Sequence, residues 1–131
     1  MYDENNIFAK IIRGEIPCDK VYEDDDVLFF KDINPIAKVH VLGIPKSKCI
    51  DFSDFISKNT PTTISEFFKK TNLVIEKLGI TKDGYKVISN SGINGGQEVP
   101  HFHIHILGGQ KVNLSISVSY THLTLPTILL V

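Results

Sequence analysis

Three histidines, His101, His103 and His105, alternate with the apolar residues Phe102, Ile104 and Ile106. Successive side chains of an extended strand point to opposite faces, so this spacing sets all three imidazoles on one side and the apolar partners toward a core. A lone histidine on a strand is usually a half-exposed polar residue; three in strict alternation, beside the glycine-rich stretch Gly92 to Gly96, point to chemistry. Metal ligation is one reading, since imidazole is a common ligand for zinc and similar ions. Positions four apart in a straight strand, however, are roughly 13 Å apart, whereas ligand bonds are about 2 Å. One ion therefore reaches at most two adjacent members of the triad, with His40 or Glu98 completing the shell. Nucleophilic catalysis fits the spacing better. It needs one imidazole nitrogen carrying its lone pair while the other stays protonated and oriented by an acceptor. His103 is the candidate: its Nδ1–H held by a nearby backbone carbonyl, its Nε2 attacking phosphorus, and the histidines two residues either side donating to the developing phosphate charge. The turn around Gly96 would let backbone approach that phosphate, with its amides forming an anion nest.

Such a strand needs a scaffold, and the pattern predicts an α+β fold with a largely antiparallel sheet. Asn5 or Asn6 caps a first, short helix whose apolar residues Ile7, Phe8, Ile11 and Ile12 recur at helical spacing until Gly14 and Pro17 stop it. Strands are predicted at Val21–Tyr22, Val27–Phe30, Val39–Ile44 and Tyr85–Ser89, with His101–Leu107 as the last. Thr60-Pro61 opens a long amphipathic helix with an apolar stripe Ile64, Phe67, Phe68, Thr71, Val74, Ile75 and Leu78, closed by Gly79.

A chain of 131 residues, 42% hydrophobic, holds about one ordinary domain. A net charge of −1 with both signs interspersed gives no basic stripe, so nucleic acid is not an expected partner. No apolar run is long enough to span a bilayer, so no membrane insertion is expected. Met1 to Asn6 is acidic and polar, unlike a secretory signal, and a cytoplasmic location is expected. Cys18 and Cys49 form no paired framework and read as unreactive thiols. Residues 1–111 are predicted to form the domain. From 112 to 131 the composition changes, with no Asp, Glu, Lys or Arg, and this atypical C-terminal tail is either a natural apolar extension or a remnant foreign to the native chain.

The chain resembles the histidine triad (HIT) nucleotide-binding proteins, in particular their small dimeric nucleoside phosphoramidate hydrolases. The resemblance runs from about Ile7 to Gly109. It rests on Ile7-Phe8-Ala9-Lys10-Ile11-Ile12-Arg13-Gly14-Glu15-Ile16-Pro17, Phe30-Lys31-Asp32-Ile33-Asn34-Pro35, His40-Val41-Leu42-Gly43-Ile44-Pro45-Lys46, Asn90-Ser91-Gly92, and Gly96-Gln97-Glu98 through the histidines to Gly108-Gly109. It implies that His103 forms a covalent nucleotidyl intermediate while His101, His105 and His40 surround the phosphate. Asp32 falls at the ribose-binding carboxylate, although by itself it reads as a turn residue before Asn34-Pro35. Phe30 and Ile33 fall in the base pocket or are ordinary core. Asn90 would reach the phosphate or the catalytic strand, Gly96 and Gln97 fall around the phosphate, and Glu98 stands where some relatives carry Ser or Thr against the leaving group. Relatives that bind structural zinc use a Cys-x-x-Cys and a histidine; those places here hold Asn6, Ala9 and Lys48, so no metal and no cofactor are expected. The resemblance implies a homodimer that hydrolyses purine nucleoside phosphoramidates. Two rivals stay open: a nucleotide-binding scaffold with negligible turnover, and a metal-dependent hydrolase using triad histidines with His40.

Overall fold

Asn6 opens the first helix of the computed structural model, which describes residues 1–113. Its side-chain oxygen accepts the Ala9 N–H at 2.9 Å, satisfying one of the orphan amides of α1 (Ile7–Ile12). Phe8, Ala9 and Ile11 are buried, while Ile7, predicted to face the core, is 44% exposed. Ile7 is the first residue of the helix, and the face turned to the core is made by Phe8 and Ile11 with Ile12 packed beside them.

Strands β1 (Lys20–Glu23), β2 (Val27–Lys31) and β3 (Val39–Pro45) follow, then α2 (Phe52–Lys58), α3 (Pro61–Leu78), β4 (Lys86–Ile88) and β5 (Ile104–Gly108). The five strands make one antiparallel sheet in the order β1-β2-β3-β5-β4. The α3 ends are as predicted: Thr60 Oγ1 accepts the Thr63 N–H, and Gly79 takes the left-handed conformation at φ 73°. α2 is an element the periodicity did not reveal. Asp51 caps it by accepting the Asp54 N–H, and the Asp54 carboxylate reaches back to the Ile50 N–H at 2.7 Å.

Alternation divides the strands between two clusters. Val27, Phe29, Val41, Ile104 and Ile106 pack with Phe55 of α2 and with Phe67, Val74 and Ile75 of α3. Leu28, Phe30, Leu42 and Ile44 pack with Phe8 and Ile11 of α1 on the opposite face. Gly43 lies opposite Phe29 and Ile104 in β3, where a Cβ would run into the Phe29 ring. Its missing side chain lets that ring lie across the sheet and stack on Phe67, ring centroids 6.0 Å apart.

The regular ladder of the last strand begins at Ile104, three residues later than the alternation predicted. His101 and His103 instead lie on its approach. The His101 carbonyl is taken by a side chain of that same approach and the His103 carbonyl by Ser89 Oγ at 3.0 Å, which withdraws both from strand pairing. Among the described residues no helix is long and apolar enough to cross a membrane. The predicted tail, 112–131, lies almost wholly outside the described residues.

Candidate active site

All four central imidazoles are buried, with His101 and His105 fully enclosed and His103 and His40 nearly so. They lie on the α1 face of the sheet. β3 presents His40 there in alternation with Val41, and β5 presents His105 through the Leu42–His105 pair. The His105 ring lies 5.2 Å from both the His103 and the His40 rings. Phe8 of α1 sets its edge against His103 at 4.9 Å and His101 at 6.4 Å, so the first helix supplies an apolar seat for the triad.

The proton on each ring follows from partners that cannot change role. A carbonyl only accepts, so His103 Nδ1, 2.6 Å from the His101 carbonyl, carries its proton, and Nε2 carries the lone pair. By the same argument His101 donates from Nε2 to the Pro45 carbonyl at 2.8 Å, and its Nδ1 accepts from the Tyr2 hydroxyl at 2.6 Å. An amide N–H only donates, so the Ile36 N–H at 3.2 Å makes His40 Nδ1 an acceptor and puts the proton on Nε2. His40 Nε2 lies 3.0 Å from His105 Nδ1 and 3.3 Å from Asp32 Oδ2, and its proton points to these acceptors. His105 Nδ1 therefore accepts, and its Nε2 is the donor. Burial depresses the pKa of His40, against the pull of Asp32, and brings His101 down to about 4. Burial thus favours the neutral form of both rings.

Two expectations are corrected here. His101 was expected to donate to the phosphate, but both its nitrogens are spent within the fold, on Pro45 and Tyr2. The amides of the glycine turn were expected to form an anion nest. Instead Gly96 N–H bonds Ile93 O, Gln97 N–H bonds Gly92 O, and Gly92 N–H bonds Gln97 Oε1, so these amides close the turn on itself. Gln97 Nε2 also donates to Ile50 and Val99 carbonyls, making this side chain a brace between the turn and the approach to β5.

Asp32 is the turn residue that its local sequence suggests, and its second oxygen faces the imidazoles. Oδ1 accepts the Asn34 N–H at 2.8 Å, forming the turn before Pro35, while Oδ2 faces His40. Phe30 is core, edge-on to Phe8 at 5.7 Å, whereas Ile33 projects into solvent at 86% exposure. Asn90 is half-buried just past β4, and Glu98 is exposed on the loop leading to His101.

Asp32, His40 and His105 offer ligand atoms within 4.8 Å of one another, which tests the metal reading. An ion would need the lone pair of His40 Nε2, forcing a proton onto Nδ1 against the Ile36 N–H. The donor set fits a hydrogen-bond chain and does not fit an ion. Glu98 is not in this cluster, and His105 is the only triad member that is. At the places where some relatives bind zinc, Asn6 caps α1 and the Lys48 ammonium bonds Glu4 at 2.7 Å.

Tyr2, the Ile36 amide, the Pro45 carbonyl and Ser89 were not singled out from the sequence. Two of the four are backbone groups that leave no residue-type signal, Ser89 acts through one hydroxyl that belongs to no pattern, and Tyr2 lies far from the motif in sequence.

The profile of the HIT domain matches residues 13–112. An uncharacterized HIT-like protein of Rickettsia prowazekii is 47% identical over 112 residues, spanning 86% of this chain and 93% of its own. The purine nucleoside phosphoramidase of Escherichia coli K12 is 43% identical over 109 residues, 83% of this chain and 91% of its own. Among solved structures, a histidine triad protein from Clostridium difficile superposes with a TM-score of 0.78 at 42% identity, covering 88% of this chain and 99% of that one. A HIT family hydrolase from Legionella pneumophila gives 0.78 at 34% identity, over 84% and 97%. With the triad, its supporting strand and the five-stranded antiparallel sheet all in place, the chain belongs to the HIT domain family.

Proposed function

We propose that the protein hydrolyses purine nucleoside phosphoramidates through a covalent nucleotidyl intermediate on His103. The observation that carries this reading is the 2.6 Å bond from His103 Nδ1–H to the His101 carbonyl, which presents Nε2 as the nucleophile. Nε2 attacks phosphorus, the P–N bond breaks, and the amine leaves as it takes up a proton. Water then attacks the same phosphorus, the P–Nε2 bond breaks, and the nucleoside monophosphate departs from a neutral His103. His105 Nε2–H donates to the charge that develops at the reacting phosphoryl group. Asp32 Oδ2 accepts from the ribose hydroxyls and Ile33 covers the base. Asn90 lies beside the phosphate, and Glu98 stands at the mouth near the leaving amine. The activity of the Escherichia coli relative supports this choice of substrate class.

The same reading proposes a homodimer. β4 pairs only with β5 among the described residues, and Val87 and Tyr85 at that edge and Leu73 on α3 are exposed apolar surface that a second copy would cover.

The test is release of adenosine monophosphate from a fluorogenic adenosine phosphoramidate by the wild type and by His103→Ala, each with and without chelator. Chelator-resistant turnover, lost by roughly a thousandfold or more in the variant while nucleotide still binds within a few-fold, is the expected result. Nucleotide binding without wild-type turnover would make this a binding protein, and turnover abolished by chelator would overturn the metal-free chemistry.

A further inference from the structure

His101 sits at the joint of the site: its carbonyl orients the nucleophile, and its ring is enclosed. With the Nε2 proton committed to the Pro45 carbonyl, Nδ1 can only accept, and a buried acceptor needs a donor. That donor comes from the opposite end of the chain. The Tyr2 hydroxyl lies 2.6 Å from Nδ1, and the two rings meet edge to face at 5.6 Å. Tyr2 is itself half-buried, and a small cavity of about 110 Å³, lined in part by Tyr2, Arg13, Lys46 and Lys48, opens beside it. A water in place of the hydroxyl would satisfy Nδ1 but would fix neither the ring plane nor its depth, whereas a phenol anchored on its own ring fixes both.

We propose that Tyr2 is a positioning residue for the nucleophile: its hydroxyl holds the His101 ring in the orientation from which the His101 carbonyl grips His103. The inference rests on the hydrolase reading for its catalytic consequence, though not for the bond itself. Three links in series run from the phenol to the His101 ring, from that ring to the Pro45 carbonyl and its own backbone, and from that backbone to His103 Nδ1. Phe8 sets its edge against both rings, so Tyr2 and Phe8 together fix where the His101 ring lies.

Tyr2→Phe removes one oxygen and keeps the ring edge. The experiment pairs ¹⁵N NMR of the imidazoles in the ligand-free protein with steady-state hydrolysis of the adenosine phosphoramidate. The expected result is a His101 Nδ1 resonance displaced toward that of an unbonded acceptor, with His40 and His105 unmoved. kcat should fall about three- to tenfold, with KM and adenosine monophosphate affinity within about twofold. An unmoved His101 resonance overturns the proposal whatever the activity. A displaced resonance with unchanged kcat overturns the link from His101 to the nucleophile. A displaced resonance with no turnover in either protein overturns the hydrolase reading and leaves Tyr2 as the residue that sets the His101 ring.

Discussion

Each imidazole of the site is distinguished from its neighbours by the group on its second nitrogen. A carbonyl leaves the lone pair of His103 on Nε2, an amide makes His40 a donor, and a carbonyl and a phenol together hold His101. The gathering of the histidines into one cluster was legible in the sequence, since only their spacing was needed. Their protonation was not legible, because the Ile36 amide and the Pro45 and His101 carbonyls carry no side-chain signature. Burial of His101 also predicts acid lability. Its native pKa is about 4 against an ordinary 6.5, so the folded chain refuses a proton that the unfolded chain accepts between those values. The stabilisation is complete above pH 6.5 and is lost as pH falls toward 4, with an upper bound on the order of 3 kcal/mol. His40, also depressed, acts in the same direction. Urea denaturation across that window should show stability falling with acid, and His101→Gln should flatten the slope; an unchanged slope in the variant would refute the assignment.

At the level of elements, the site depends on helices that never touch it. α3 holds the far face of the sheet through Phe67, whose ring packs on Phe29, Phe55 and Phe102. Phe102 lies between the first two histidines in sequence, so this cluster fixes the approach to β5 from below. Phe67→Ala should cost about 3–5 kcal/mol in denaturant unfolding, as expected when a fully buried aromatic leaves a cavity. Asp51→Ala, which removes the α2 cap, should cost about 1 kcal/mol by the same measurement. The long helix was readable because eighteen residues repeat the apolar stripe and both caps are of favoured types. α2 was not, since seven residues with one buried side chain, Phe55, give too few turns for a period to stand out, and only the Asp51–Asp54 pair marked it. The onset of β5 was misplaced for a related reason. Alternation reports which face a residue points to, and an extended segment outside the ladder alternates just as well.

For the molecule as a whole, the exposed β4 edge and the partly bare outer surface of α3 are where a second copy is proposed to dock. Val87→Lys places a charge on that edge and should convert a dimeric wild type to monomer in gel filtration at micromolar concentration; a wild type already monomeric would refute the dimer. The order of the sheet was the large-scale property that local pattern did not contain. In that order β5, the last strand of the described residues, lies in the interior of the sheet, between β3 and β4. His40 and His105 are consequently separated by 65 positions and meet only when this late strand is inserted. On the ribosome, the nascent sheet must wait with the β3 edge unpaired until β5 emerges, and the loop that closes then is among the costliest in the fold. Nucleotide-binding competence should therefore appear in the slowest folding phase, together with complete burial of the core. Until then the exposed β3 edge is the surface on which a chaperone or an aggregating neighbour would act.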